Sequence, residues 1–305
     1  MTLFLQQLSN GTVLGALYGL IALGYTMVYG IISLINFAHG EIFMIGGFAG
    51  LTMYKYVLPD SFQRKAAIAL PLVLIFGMLC SIIVALLVER FAYRPLRAAP
   101  RLAPLITAIG VSIALQELIR LNYPGAKAPV PFPRLISRGA IHPGGITIAY
   151  VSIFIVVVAI ALMVLLQGFI SGSRTGRAMR ATAQDPDTAR LMGIDTDRII
   201  VTTFVIGAAL AAVAGVMQGM RVGTVDHLMG FTAGVKAFTA AVLGGIGNIQ
   251  GAVLGGFVLG IVESMATNYM PHGSAYKDVW AFVVLIMVLV FRPNGLLGER
   301  VASRS

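Results

Sequence analysis

The side chains able to do chemistry in this chain are few, and their spacing is that of helix caps and buried polar contacts. Asp185 stands directly before Pro186 and Asp187. A carboxylate there can accept the free amide protons of a helix start, and proline suits the first helical position because its φ is already helical and it has no amide proton to leave unpaired. Gly193 then supplies a stop, since glycine adopts the left-handed conformation in which helices commonly end. The pattern predicts a helix of about two turns over Pro186 to Met192, inside a polar interlude spanning 171–198 that also carries Arg174, Arg177, Arg180, Arg190 and Arg198. A short capped helix between apolar blocks has a form suited to a groove on a soluble partner.

A second polar group, Asn36, His39 and Glu41, lies where Ile32 to Glu41 interrupts two glycine-rich apolar stretches. Unpaired ionisable groups in hydrocarbon are expensive, so these side chains should face protein, water or one another. They can line a solute path or gate, or they can cap broken helix ends and satisfy freed backbone groups. A matching interruption runs through Gly244, Gly245, Asn248 and Gly251. Both breaks hold an Asn, then a Gly, and each is followed by a double glycine, at Gly46-Gly47 and Gly255-Gly256. That is a weak repeat of the sort that places broken helices of two halves beside a solute path. Glu41, Glu117 and Glu263 keep a proton relay open, and Lys236 is expected to snorkel or to pair with an acid.

Catalytic patterns are missing from the sequence. It has no Gly-x4-Gly-Lys-Ser/Thr phosphate loop, no His-x3-His pair and no nucleophile elbow. The expectation is a chain that is not an enzyme, binds no cofactor and leaves any use of ATP to another subunit.

The elements that must position these groups follow from composition. Hydrophobic residues make up 58% of 305, charged residues 11%, and mean hydropathy is +0.89, far above a soluble domain. The chain reads as a single domain over 1–305, all-α, a polytopic membrane bundle of about eight apolar helical segments with broken short helices near 32–41 and 244–251. Those segments fall at roughly 11–31, 41–58, 66–88, 102–121, 149–170, 199–220, 232–266 and 278–291. The seventh is too long for one span, and the Gly244 to Gly251 interruption divides it into two pieces of about 15 residues, each roughly 22 Å long as helix. Neither crosses a hydrocarbon core of about 30 Å in comfort.

Arginine placement sets the sidedness. Loop 90–101 (Arg90, Arg94, Arg97, Arg101), the 171–198 interlude and the tail (Arg292, Arg300, Arg304) should all be cytoplasmic. The tail agrees only if 232–266 goes in and comes back as a hairpin, and the N-terminus then lies outside. Lys127, Arg134 and Arg138 on the outer loop make the bias moderate. The formal charge of +10 is therefore a matter of topology and not of nucleic-acid binding. Cys80 is alone in an apolar run, so there is no disulfide or metal framework, and Met1 to Asn10 carries no Lys or Arg, which argues against a cleaved signal peptide. Small residues four apart, such as Gly15 and Gly19 or Gly256 and Gly260, predict close intramolecular helix packing, and the proline-rich stretch Tyr123 to Pro133 reads as a rigid outer connector.

Three stretches carry a family likeness: Leu23 to Glu41 (LGYTMVYGIISLINFAHGE), Glu89 to Arg97 (ERFAYRPLR) and Lys236 to Gly251 (KAFTAAVLGGIGNIQG). They are similar to the LivH-type permease of high-affinity branched-chain amino acid ABC importers, and the likeness runs from the first helix to Gly298. Asp187 to Gly193 also resembles the Glu-Ala-Ala-x3-Gly coupling motif of importer permeases, with the Ala189 to Gly193 spacing kept and the usual Ile-x-Leu-Pro ending missing. The resemblance implies a multi-pass protein of the bacterial inner membrane that pairs with a second, LivM-like permease on two cytoplasmic ATPases. A periplasmic branched-chain amino acid binding protein would feed the pair. Coupling to the ATPases would fall on Arg177, Asp185, Pro186, Asp187, Ala189, Leu191 and Gly193, and the path or gate on Asn36, His39, Glu41, Gly244, Gly245, Asn248 and Gly251. Related permeases carry urea, short amides or other amino acids. The rival reading is a self-sufficient secondary transporter or channel that couples protons through Glu41 or Glu263; the capped inner helix would then have no purpose.

Overall fold

Continuous apolar runs with small residues interspersed fold as helices throughout, because only a helix satisfies its own backbone in hydrocarbon. The computed structural model describes residues 2–32, 34, 36–63, 65–97, 99–100, 102–137 and 139–298. The sidedness arguments that used Arg101, Arg138, Arg300 and Arg304, and the Ser33 and Ile35 positions of the first break, lie outside the described residues. In chain order the helices are α1 (Thr2–Ile32), α2 (His39–Thr52), α3 (Asp60–Gln63), α4 (Ala66–Val88), α5 (Leu102–Asn122), α6 (Tyr150–Gly172), α7 (Arg174–Gln184), α8 (Pro186–Leu191), α9 (Thr196–Val222), α10 (Met229–Gly244), α11 (Ile249–Tyr269) and α12 (Gly273–Phe291). A π turn at Met53–Val57 prolongs α2, and another at Glu89–Tyr93, with a 3-10 turn at Arg94–Leu96, prolongs α4.

Seven described helices are long and apolar enough to cross a membrane: α1, α4 with its continuation, α5, α6, α9, α11 and α12. Of these, α1 and α9 are apolar and buried over most of their surface, the mark of central helices. By contrast, α4, α5, α6 and α12 present rows such as Ile75, Leu79 and Ile83, or Ile286 and Val290, outward. Those rows face lipid or a second membrane protein.

The tightest seam joins α1 to α11. A Cβ built on Gly256 would stand 2.6 Å from the backbone nitrogen of Gly19, and one on Gly260 would stand 2.6 Å from Gly11 O. Only glycine lets the two backbones come this close, so the small-residue rows serve packing within the chain, as their spacing predicts.

Two helices are short. At 14 and 16 residues, α2 and α10 reach about 21 and 24 Å, less than the hydrocarbon thickness. His39, the first residue of α2, sits against Gly24 of α1 and Gly207, midway along α9, so α2 begins inside the bundle. The first turns of α10, at Gly230 and Gly234, pack on Gly40 and Glu41. Both half-helices thus start within the protein with their N-terminal ends together.

The hairpin expected over 232–266 is present as α10 and α11. The expectation of two equally short pieces is corrected, since α11 has 21 residues and continues through Ser264 to Tyr269. Polar residues sustain that extra turn because they find partners: Ser264 Oγ donates to Gln7 O at 2.8 Å and Thr267 Oγ1 to Glu263 O at 2.7 Å. At one end of the bundle Arg94 and Arg97 reach Asp197, at 2.9 and 2.6 Å, so both arginine-bearing loops share that end. At the other end Gln6 bonds Thr147, and the proline-rich stretch contributes Val130–Pro131 to a two-residue antiparallel pairing with Thr224–Val225. The connector is thereby stitched across the C-terminal end of α9.

Candidate functional site

Ser173 caps α7 by accepting from the Gly176 amide at 2.9 Å, and Asp185 caps α8 by accepting from the Asp187 and Thr188 amides at 3.0 Å each. Thr188 Oγ1 adds a 2.6 Å bond to the second Asp185 oxygen. The helix runs over Pro186–Leu191, with Met192 as its cap, one residue shorter than the Pro186 to Met192 reading. Gly193 follows at φ +81°, where a side chain is strained, and its amide bonds Arg190 O at 3.0 Å. Ala189 is buried, while Leu191 is 87% and Met192 78% exposed. The eleven-residue helix α7 was not separately expected. It ties the interlude to the bundle by burying Met179 and by a hydrogen bond from Arg180 to the Ile170 carbonyl, and Arg177 bonds Gly172 O at 3.1 Å.

The Asn36–Glu41 group lies inside the protein. Asn36 Oδ1 accepts from Tyr93 Oη at 2.9 Å, and His39 packs edge-on to Tyr25, ring centroids 4.9 Å apart. Glu41, fully buried, accepts at Oε1 from Ser112 Oγ and Gln116 Nε2, both at 2.8 Å. Its other oxygen lies against Gly230, in the first turn of α10, where a helix N-terminus favours negative charge. The residues Gly244, Gly245, Asn248 and Gly251 are not at this meeting point. They form the tight turn between α10 and α11: Asn248 caps α11 by accepting from Gly251 N at 2.9 Å and donates to Leu297 O at 2.9 Å. The backbone of Leu296 and Leu297 closes on Leu243 O and Gly244 O, so the tail holds this turn. The partner of the first break is the start of α10, a site with little sequence signal of its own.

A cavity of about 680 Å³ opens at the end of the bundle that carries the N-terminus. Tyr18, Arg221, Lys236, Glu263 and Lys277 line it, together with Leu14, Leu17, Ile21 and Phe43. Glu263 is buried, accepting from Tyr18 Oη and from Lys236 Nζ, each at 2.8 Å. Lys236 also lies 2.7 Å from Asp278, and Lys277 lies 3.7 Å from Glu263. Lys236 therefore pairs with acids, as expected, and Glu263 is held in a network with a hydroxyl and cations. Glu117, the third relay candidate, pairs with Arg120 at 2.6 Å on the half-exposed side of α5. The sequence reading missed Tyr18, Arg221, Lys277 and Asp278. One signal could have found Arg221, a cation at the far end of a helix whose other charges, Asp197 and Arg198, lie in its first turn, with an apolar stretch between.

Over residues 7–289 the chain matches the family described as branched-chain amino acid transport system, permease component. It is 49% identical to the high-affinity branched-chain amino acid transport system permease protein BraD of Pseudomonas aeruginosa, across 97% of this chain and 96% of that protein. Identity to the corresponding permease protein LivH of Escherichia coli (strain K12) is 46%, with the same coverage of each. Identity to the probable branched-chain amino acid transport permease protein LivH of Methanocaldococcus jannaschii is 28%, across 92% and 88%. Among solved structures, PsaBC from Streptococcus pneumoniae in complex with Fab superposes with a TM-score of 0.49 at 12% identity, covering 97% of this chain and 92% of that one, and nothing is built on that likeness. Seven helices able to span a bilayer and a family match that runs from α1 into α12 make this a multi-pass membrane protein belonging to the branched-chain amino acid transport permease family.

Proposed function

We propose that the chain is a translocating subunit of an ABC importer that brings leucine, isoleucine and valine across a bacterial inner membrane. It pairs with a second, LivM-like permease on two cytoplasmic ATPases and takes solute from a periplasmic binding protein. The chain itself binds no cofactor, and ATP is used by the partner subunits. The observation that carries the reading, beside the family match, is α8: a helix capped at both ends, seated through Ala189, with Leu191 and Met192 held out from the bundle. Large apolar side chains projected on a rigid mount beside arginines are anchors for a groove.

Alternating access then follows from how α8 is attached. Closure of the ATPases on ATP displaces α8, which joins α9 through Gly193 to Asp195 and α7 through Asp185. Helix α9, 27 residues and about 40 Å long, carries the displacement from Asp197 at the inner end to Arg221 at the outer chamber. Along that lever Gly207 touches His39, and Ala212 touches Gly46, so the first half of α2 is the element that feels it. Asn36, His39 and Glu41 are the gate in this scheme, and the Gly244, Gly245, Asn248 and Gly251 turn closes the inner side. Solute crosses without covalent chemistry on this chain.

Uptake of labelled leucine into proteoliposomes holding this chain with its permease, ATPase and binding-protein partners tests the reading. Transport should need ATP and every component, and should collapse with Gly193→Asp. Uptake by this chain alone on a proton gradient, indifferent to that change, would assign it to secondary transport and shift the chemistry to Glu41 and Glu263.

A further inference from the structure

We infer that the outer chamber is a binding site for an amino-acid zwitterion, with Arg221 as the anchor for the solute carboxylate. The inference deepens the importer reading and rests on it. The chamber descends from Gln7 to Ile21 along α1, about 21 Å. Its upper wall is polar and charged, and its floor, at Leu17, Ile21 and Phe43, is apolar and buried. A solute with a charged head and a branched aliphatic tail matches that gradient, and the volume lies within the ordinary range for small-molecule sites.

The charges select the head group. Lys236 is engaged by Glu263 at 2.8 Å and by Asp278 at 2.7 Å, and Lys277 stands 3.7 Å from Glu263. Arg221 is half-buried and close enough to Tyr18 and Glu263 to interact with them electrostatically, yet it has no ion-pair partner among the described residues. Three cations, Arg221, Lys236 and Lys277, therefore line the chamber with one anion, Glu263, while Asp278 holds Lys236 from beside it, and the uncommitted cation is a guanidinium. Its planar fork fits a carboxylate through two parallel hydrogen bonds, which a lysine cannot reproduce. With the carboxylate on Arg221, the solute ammonium lies toward Glu263, and the side chain points down to Leu17 and Phe43. A bound zwitterion leaves the net charge of the chamber unchanged: its carboxylate takes the one uncommitted cation, and its ammonium shares Glu263 with Lys236 and Lys277.

Two measurements test this. In the full complex in proteoliposomes, Arg221→Gln should lower leucine uptake roughly tenfold or more, the loss expected when a charge-assisted contact is removed, and Arg221→Lys should restore part of it. Independently, with Arg221 intact, an Asn10→Cys change in a Cys80→Ser background places a thiol on the exposed chamber wall. In the detergent-solubilised complex, millimolar leucine should slow its reaction with a charged methanethiosulfonate, whereas leucinamide, which lacks the carboxylate, should not. Equal protection by both compounds, or by neither, overturns the anchor, as does wild-type uptake by Arg221→Gln. If Arg221→Gln prevents assembly, the thiol measurement decides alone. Failure of the wild-type complex to show ATP-dependent uptake would sink the importer reading instead, so the two failures are distinguishable.

Discussion

Lys236 Nζ and Glu263 Oε1 stand 2.8 Å apart on the antiparallel helices α10 and α11, both side chains buried, with the Tyr18 hydroxyl on the other carboxylate oxygen. A buried pair adds little net stability over an apolar pair of equal volume, but breaking it leaves a charge with no water to solvate it. Lys236→Met should therefore destabilise the folded chain, by less than the ~3 kcal/mol of a fully isolated buried charge, because Lys277, Tyr18 and the chamber remain beside Glu263. The double change Lys236→Met with Glu263→Gln should recover part of that loss. Denaturation in mild detergent reads both. A neutral single variant would mean that the pair is solvated through the chamber.

The α1–α11 seam should tolerate no added methyl. A Cβ at Gly256 meets the backbone of Gly19 at 2.6 and 2.7 Å, which cannot move without separating the helices. Gly256→Ala should cost about 1–3 kcal/mol, the range for overpacking. Gly168→Ala, within α6 and with nothing inside 4 Å, should be neutral or slightly stabilising, because alanine loses less backbone freedom on forming helix. Thermal midpoints of the isolated chain should separate the two variants; equal midpoints would refute the close packing.

Arg94 and Arg97 hold the inner ends of α4 and α9 unequally. Arg94 and Asp197 are both about half exposed, so Arg94→Ala should cost no more than about 1 kcal/mol, and less at high salt. Glu89 is buried under Arg97, with which it pairs, and Glu89→Ala should cost more than Arg94→Ala, about 1–3 kcal/mol with little salt dependence, since Arg97 keeps Asp197 as a partner. A salt titration of stability in both variants checks the ordering, and the reverse order would contradict it.

At the inner loop, Asp185→Ala removes the acceptor of the Asp187 and Thr188 amides and should weaken the start of α8 by about 1 kcal/mol. Asp185→Asn, which keeps a cap oxygen, should stay close to wild type in the same measurement. Hydrogen exchange at the two amides reads this directly: faster in the alanine variant, near wild type in the asparagine one. Unchanged exchange with alanine would show that the cap bonds do not hold the helix.

Leu191→Glu places a charge on the most exposed apolar side chain of the interlude. It should reduce recovery of the ATPase subunits on the purified permease, as expected when an apolar anchor is lost from a groove. Undiminished recovery would move the contact away from α8.

Much of the fold was legible because membrane helices obey local rules. Apolar length located the spans, arginine placement put loops 90–101 and 171–198 at one end of the bundle, and Asp185-Pro186 with Gly193 marked a short helix to within one residue, since caps and left-handed turns depend on the residues that form them. The Gly244 to Gly251 break was equally visible because its glycines take positive φ at Gly245 and Gly247. What that break does was not visible. Glycine spacing cannot say whether a turn lies deep in the bundle or closes an inner hairpin, and the contacts of Leu296 and Leu297 decided it.

By itself, then, the sequence determined a helical membrane protein and its short capped helix, all properties of chain segments and their immediate solvent. Only the tertiary structure decided that the half-helices α2 and α10 meet at their starts, and that Tyr18, Arg221, Lys236, Glu263 and Lys277, from α1, α9, α10, α11 and α12, share one chamber. The reason is physical: charges on separate helices find each other through packing at glycine seams such as α1 against α11, and that proximity leaves no periodic trace along the chain.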